Sequence, residues 1–148
     1  MKRRLLAIVI ALAAIAAFVW YVQRHTPSSD VRESDGTRND SDLATAFKNH
    51  ARNVQVQGQG VVTKILADDN DGSRHQRFVV RVDSGQTILI AHNVDLAQRI
   101  TPLREGDAVE FNGQYEWNPE GGVVHWTHRD PAGRHQAGWL KHNGQIFQ

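Results

Sequence analysis

The fold is indicated most clearly by one alternating stretch, Asp107-Ala108-Val109-Glu110-Phe111-Asn112-Gly113-Gln114-Tyr115-Glu116-Trp117. Successive side chains of a β-strand point to opposite faces of the sheet, so residues two apart share a face. One face of this stretch is then apolar and the other is polar, which predicts a strand with one buried side. The apolar side chains are Val109, Phe111, Tyr115 and Trp117.

Other patterns before this strand predict three more strands. Arg77–Val82 and Thr87–Ala91 flank Ser84-Gly85, as the two arms of a hairpin would. Val54–Leu66 is long and apolar, and its alternation shifts at Gly58-Gln59-Gly60. Glycines at such a shift predict a bulge or a sharp bend, which the closing of a small barrel requires.

The remaining segments complete a mainly β domain. Val94–Ile100 follows Asn93, a good helix N-cap, and ends before Pro102, which predicts a short internal helix. Gly122–Thr127 is predicted to be the last barrel strand. This order of elements resembles an OB-fold, a small closed Greek-key barrel, although another small barrel or a sandwich has similar strands. Asn143-Gly144 between apolar runs predicts a C-terminal β-hairpin.

The N-terminal segment has the pattern of a membrane helix. Leu5–Val22 is unbroken by polar residues and follows Lys2-Arg3-Arg4. As a helix it would span about 27 Å, close to the hydrocarbon thickness of a bilayer. The basic triplet favours a cytoplasmic N-terminus, so the rest of the chain would lie in the bacterial periplasm. A signal peptide cleaved near Ala14-Ile15-Ala16 is the alternative, with secretion into the periplasm.

These patterns divide the chain into four parts. Residues 1–25 form the anchor or signal peptide, 26–40 a polar flexible linker, 41–52 a short helix, and 53–148 the barrel domain with its hairpin.

Composition excludes several classes of site. The chain has no cysteine, which rules out disulfides, thiolate metal sites, a cysteine nucleophile and a lipid-modified cysteine. Residues 53–148 carry nine Lys and Arg against eleven Asp and Glu, so the domain is slightly acidic. Nucleic acid is therefore an unlikely partner.

The strongest chemical clue is a histidine-rich segment, His125-Trp126-Thr127-His128-Arg129-Asp130-Pro131-Ala132-Gly133-Arg134-His135. Imidazoles hold metals and move protons near neutral pH. Side chains of His128, Asp130 and His135 predict an all-nitrogen-and-oxygen site for a divalent transition metal such as zinc. Imidazoles that simply pack around tryptophan are the alternative.

Other residues are assigned by their chemistry. His75 and His92 lie at strand ends and are candidates for a general base, because imidazole titrates near neutral pH. Arg74, Arg134 and His125 are candidates for contacts to an anionic ligand. No glycine-rich phosphate loop and no Gly-x-Ser-x-Gly motif is present.

Three stretches carry a resemblance to a known family: Leu66-Ala67-Asp68-Asp69-Asn70-Asp71-Gly72-Ser73-Arg74-His75-Gln76, Ala91-His92-Asn93-Val94-Asp95-Leu96-Ala97 and Gly122-Val123-Val124-His125-Trp126-Thr127-His128-Arg129-Asp130-Pro131. They resemble an uncharacterised bacterial family of small exported proteins, a domain of unknown function, over roughly residues 53–148. The resemblance implies a compact bacterial domain and supplies no chemistry.

The sequence thus predicts a membrane-anchored periplasmic binding module with a polar His/Asp site for a metal ion or a small anionic ligand. Two alternatives remain open. One is a metal-dependent phosphodiester hydrolase, and the other is an adaptor for a protein partner with purely structural histidines.

Overall fold

The computed structural model describes residues 30–148, with side chains from residue 39 onward. Glu33–Gln148 form one compact unit. The described residues form one helix followed by seven strands: α1 (Asp30–Lys48), β1 (Arg52–Ile65), β2 (His75–Arg81), β3 (Thr87–Asn93), β4 (Ala108–Glu116), β5 (Val123–His125), β6 (Trp139–His142) and β7 (Gln145–Phe147). The domain is therefore mainly β, as predicted.

Five of these strands close into a barrel in the order β1-β2-β3-β5-β4, because β1 pairs with β2 on one side and with β4 on the other. Neighbouring strands are antiparallel except β3 and β5, which are parallel. The predicted closed β-barrel is present. β6 and β7 extend the sheet from β4.

The buried face of β4 is the one its alternation predicts. Val109 is 1% exposed, and Phe111 and Tyr115 are fully buried. β2 and β3 alternate in the same way, with Phe78, Val80, Ile88 and Ile90 pointing into the core. Trp117 lies just beyond the end of β4 and packs, partly buried, against the core.

The long strand β1 changes partner along its length, pairing with β4 up to Val61 and with β2 from Val61 onward. The prediction that its alternation shifts at Gly58-Gln59-Gly60 is wrong. Both glycines stay on the inward side, and the register shifts lie at Arg52/Val54 and Val62/Lys64. The glycines are needed for close packing, since a Cβ on Gly58 would lie 2.6 Å from Cζ of Phe111.

The helix before the barrel is longer than the sequence predicts. It begins at Asp30, inside the expected flexible linker, and ends at Lys48. Its second half is fixed by packing, because Leu43 is fully buried and Ala46 is 6% exposed. Asp40 adds a tertiary contact, since its Oδ2 accepts a hydrogen bond from the backbone N–H of Ser84 at 2.8 Å.

The short helix predicted over Val94–Ile100 is not formed. The segment makes one turn, closed by the N–H of Ala97 donating to the C=O of Asn93 at 3.1 Å. The buried side-chain amide of Gln76 on β2 forms hydrogen bonds with both backbone groups of Ile100. Its Nε2 donates to the C=O of Ile100 and its Oε1 accepts from the N–H, each at 3.0 Å. A side chain 24 residues away thus replaces the hydrogen bonds that would continue the helix.

The predicted C-terminal hairpin is present. β6 and β7 are antiparallel and are joined by Asn143-Gly144, whose φ angles are 49° and 79°. Positive φ at both turn positions is what this residue pair favours.

The predicted membrane helix at Leu5–Val22 lies outside the described residues. Within residues 30–148, no helix is both long and apolar enough to cross a bilayer.

Candidate functional site

The barrel brings together histidines that are far apart in the chain. His125 at the end of β5 interacts electrostatically with His75, His128 and His135, and His92 interacts with His75 and His128. Most of the residues singled out from the sequence therefore share one region, at the ends of β2, β3 and β5. Their hydrogen bonds decide which of them is free to contact a ligand.

His92 is held on both sides by the protein. It is fully buried, its Nε2 lies 3.1 Å from the C=O of Gln98, and its Nδ1 lies 2.8 Å from Oγ1 of Thr127. A carbonyl only accepts, so Nε2 carries the proton and Nδ1 accepts from the Thr127 hydroxyl. Burial lowers the pKa of His92 to about 4. This geometry favours a structural role over that of a general base.

His128 is also engaged. It is 3% exposed, and its Nδ1 donates to the C=O of Arg129 at 2.8 Å. Its ring lies 5.2 Å from that of Trp126. The imidazole thus helps to fix the backbone where the chain leaves β5.

Asp130 stabilises its own loop. Its carboxylate accepts hydrogen bonds from the backbone N–H groups of Ala132, Arg134 and His135 at 2.8 to 3.1 Å. These bonds hold the pKa of Asp130 below its usual value, and the bond from Ala132 has the largest effect. Arg134 and His135 are therefore fixed in position through their main chain, while their side chains are exposed.

Trp126 and His135 form a stacked pair at the rim of this region. Their ring centroids are 3.8 Å apart and the planes differ by 15°. Trp126 has a φ of 52°, an unusual value for a bulky residue. Strained backbone of this kind is found preferentially at functional sites.

His125 differs from the other imidazoles of the region. Its side chain is on the outer face of the barrel, half-buried, and its Nε2 atom is buried without a hydrogen-bond partner among the described residues. Burial lowers the pKa of His125, while the Glu116 carboxylate acts in the opposite direction. Among the described residues, Trp117 Nε1 is likewise buried without a hydrogen-bond partner, and the His50 ring lies 4.0 Å from that indole with the two planes tilted by 34°.

Arg77, which was not singled out from the sequence, lies two strands away from His125 on the outer face. Ile90 pairs with Val124, so the next residues along these parallel strands, Ala91 and His125, are neighbours on the outer face. Ala91 in turn pairs with Arg77 of β2. The small Ala91 thus separates an imidazole from a guanidinium. Arg77 could have been found by continuing the period-two pattern of β2 through the hairpin register.

The Arg77 guanidinium is held on one side only. Its Nε donates to the C=O of Ala67 at 3.0 Å, and its terminal nitrogens have no partner among the described residues. Arg74 is paired with Asp95, whose carboxylate accepts from the backbone N–H of Arg74 at 2.8 Å and from its Nε at 2.7 Å. Its contact to an anion stays a prediction. His75 is half-buried, and its backbone bridges to Asp69.

The predicted metal ligands do not form a ready-made centre. Within the part of the chain that the structure describes, no three His, Asp or Glu side chains are grouped so that they could hold an ion. Zinc binding by His128, Asp130 and His135 stays a prediction, and so does hydrolysis.

Comparison with known protein families gives a match. A search of the curated proteins finds no relative of this chain. Residues 29–148 match the family described as DUF3465, protein of unknown function. This match confirms the resemblance to a domain of unknown function, and the chain belongs to the DUF3465 family.

Proposed function

We propose that this domain is a binding module that holds a small anionic ligand on the outer face of β2, β3 and β5. His125 and Arg77 are the contacts, and the ligand lies above Ala91 between them. Arg134, on the neighbouring loop, supplies further positive charge at the rim.

The observation that carries this proposal is the unpartnered Nε2 of His125. Leaving a buried polar atom without a hydrogen bond costs about 1–3 kcal/mol. Such atoms are few in native proteins, so each one needs an explanation. A ligand oxygen would supply the missing partner once a small movement of the side chains that cover Nε2 gives access to it.

Charge favours an anion over a neutral ligand. Arg77 is a permanent cation with free terminal nitrogens. The Glu116 carboxylate acts on His125 from the β4 side and repels an anion, so the ligand lies on the side of β3, toward Arg77. Hydrogen bonds from charged donors to an anion are roughly twice as strong as neutral ones.

The barrel topology supports the same face. The order β1-β2-β3-β5-β4, closed by β1 and β4, with β3 and β5 parallel, is the arrangement we expect of an OB-like barrel. OB-folds bind ligands on the face that includes β2 and β3. We therefore propose that the barrel is OB-like in its ligand face as well.

Titration of the full-length protein with sulfate tests the proposal. Sulfate is a suitable probe because its charge is constant near neutral pH. We expect a saturable shift of the Ala91 amide signal in NMR spectra. Either His125→Ala or Arg77→Gln should weaken binding about tenfold, since each removes a charge-assisted hydrogen bond.

Two matched variants serve as controls. Arg81→Gln removes an exposed arginine at the far end of β2, and His50→Asn removes an exposed histidine outside the region. His50 has a φ of 50°, which asparagine tolerates. Equal losses in the controls and in the His125 variant would overturn the proposal.

A metal ion is the second candidate ligand, because the same free Nε2 could coordinate one. Elemental analysis of the purified protein distinguishes the two. Stoichiometric zinc that is lost in a His125→Ala variant would show that the ligand at His125 is a metal ion and not an anion. Zinc that is lost only in the double variant His128→Ala, His135→Ala would support the metal ligands predicted from the sequence.

We propose further that the chain is anchored in the bacterial inner membrane with the barrel in the periplasm. The support is the apolar run Leu5–Val22 and its basic flank Lys2-Arg3-Arg4.

A further inference from the structure

A second concave surface lies on the outer face of β1, β4 and β6. It is a cleft of about 430 Å³, within the usual range for small-molecule sites. His125 does not line it. His125 pairs with Gln114 near the end of β4, whereas the cleft lies at the start of that strand.

The cleft has an apolar floor for a reason visible in the strand register. Val61 of β1 pairs with Ala108 of β4, and both side chains point outward. Val61 is 42% exposed, and Ala108 beside it leaves room above the sheet. A ligand with an apolar body would cover this floor.

The polar side chains of the cleft leave one negative charge unpaired. In the neighbouring row, Glu110 pairs with Lys141, whose Nζ lies 2.8 Å from Oε1 of Glu110. Asp83, just after β2, also lines the cleft. Its carboxylate has no hydrogen-bond or ion-pair partner among the described residues.

We propose that this cleft binds a small organic cation. The apolar part of the ligand lies on Val61 and Ala108, and its ammonium group pairs with Asp83. The second oxygen of Glu110 provides a further acceptor. This site is separate from the His125 site and opposite to it in ligand charge.

Benzylamine and its neutral isostere benzyl alcohol test the proposal on the full-length protein. Amide NMR signals of Gly60 and Gly144, which line the cleft, report binding at this site. We expect benzylamine to shift both signals saturably and benzyl alcohol to bind more weakly. Asp83→Asn should weaken benzylamine binding about three- to five-fold, as loss of an exposed ion pair does.

Asp71→Asn is the matched control, since it removes an exposed carboxylate from a loop outside the cleft. Ala108→Leu is a second variant that fills the floor from an exposed position and should abolish the shifts. The proposal is overturned if benzyl alcohol binds as tightly as benzylamine, if Asp71→Asn weakens binding as much as Asp83→Asn, or if neither signal saturates. Binding confined to the Ala91 signal would also overturn it, without affecting the proposed anion site.

Discussion

At the scale of single residues, the histidines that the structure describes differ in their hydrogen bonding. His92, His128 and His142 are buried and bonded to other groups of the protein, His142 through Nε2 to Oδ2 of Asp107 at 3.0 Å. His125 is the imidazole whose buried nitrogen has no such partner. The sequence shows a cluster of histidines, but it does not show this difference, because the bonding partners come from other strands and loops.

The contact between Thr127 and His92 is a test of the structural group. In Thr127→Val the shape is kept but Nδ1 of His92 loses its donor, so we expect the free energy of unfolding to fall by about 1–2 kcal/mol. Chemical denaturation measures this. Thr87→Val is the control, since its hydroxyl is exposed, and it should change stability by less than about 0.5 kcal/mol. Equal changes in the free energy of unfolding in Thr127→Val and Thr87→Val would show that the buried hydrogen bond adds no stability beyond that of an exposed one.

The low pKa of His92 makes stability depend on pH. The unfolded chain takes up a proton near pH 6.5, whereas folded His92 does so only near pH 4. A histidine whose folded pKa is depressed contributes stability above pH 6.5 and loses it as pH falls toward 4. That shift corresponds to roughly 2–4 kcal/mol.

Unfolding measured at several pH values between 6.5 and 4.5 checks this expectation. His92→Gln should flatten the pH dependence in that interval. The same slope in the variant and in the wild type would contradict it. The carboxylates of Asp95, Asp107 and Asp130 have lowered pKa values, so they lose their contribution at more acidic pH.

At the scale of elements, strands were predicted more accurately than the segments between them. The alternation of Val109, Phe111 and Tyr115 depends only on the period of the strand, and it located the buried face of β4. The local signal of Asn143-Gly144 located the hairpin. The predicted helix over Val94–Ile100 is not formed, because the side chain of the distant Gln76 binds the backbone groups of Ile100. The sequence alone does not show which side chain will lie beneath a loop.

The loop that carries Trp126 and His135 is fixed at Gly138. A Cβ there would overlap the carbonyl oxygen of Trp126 and lie 2.6 Å from that of Asn112, and neither backbone group can move easily. We expect Gly138→Ala to lower the free energy of unfolding by about 1–3 kcal/mol, as overpacking does.

The same variant should separate the stacked rings, which Trp126 fluorescence would report in a protein whose other tryptophans are replaced by phenylalanine. Ala137→Ser at the adjacent exposed position is the control. An unchanged stability and an unchanged spectrum in Gly138→Ala would mean that this close contact does not hold the loop.

At the scale of the whole molecule, this member of the DUF3465 family has two proposed ligand sites and a proposed membrane anchor. The anchor rests on sequence alone, since residues 1–29 are outside the described part. The domain itself could be predicted as a closed barrel, but the outer face for which we propose binding could not. The neighbours His125, Ala91 and Arg77 come from three strands and meet only through sheet register.

Removal of the N-terminal segment tests the anchor. We expect the full-length chain to sediment with bacterial membranes and a variant without residues 1–25 to remain in the supernatant, because the apolar run provides the attachment. Fractionation followed by immunoblotting measures this. A full-length chain found only in the periplasmic fraction and shortened at its N-terminus would indicate a cleaved signal peptide instead.

The most direct test of the central claim is a pH titration of the imidazole nitrogens by NMR, with and without sulfate. If an anion binds at Nε2 of His125, sulfate will raise the pKa of His125, because the bound anion favours the protonated ring. At any fixed pH, sulfate will not shift the signals of His50 and His142. A His125 titration that sulfate leaves unchanged, or one shifted no more than those of the other histidines, would contradict the account.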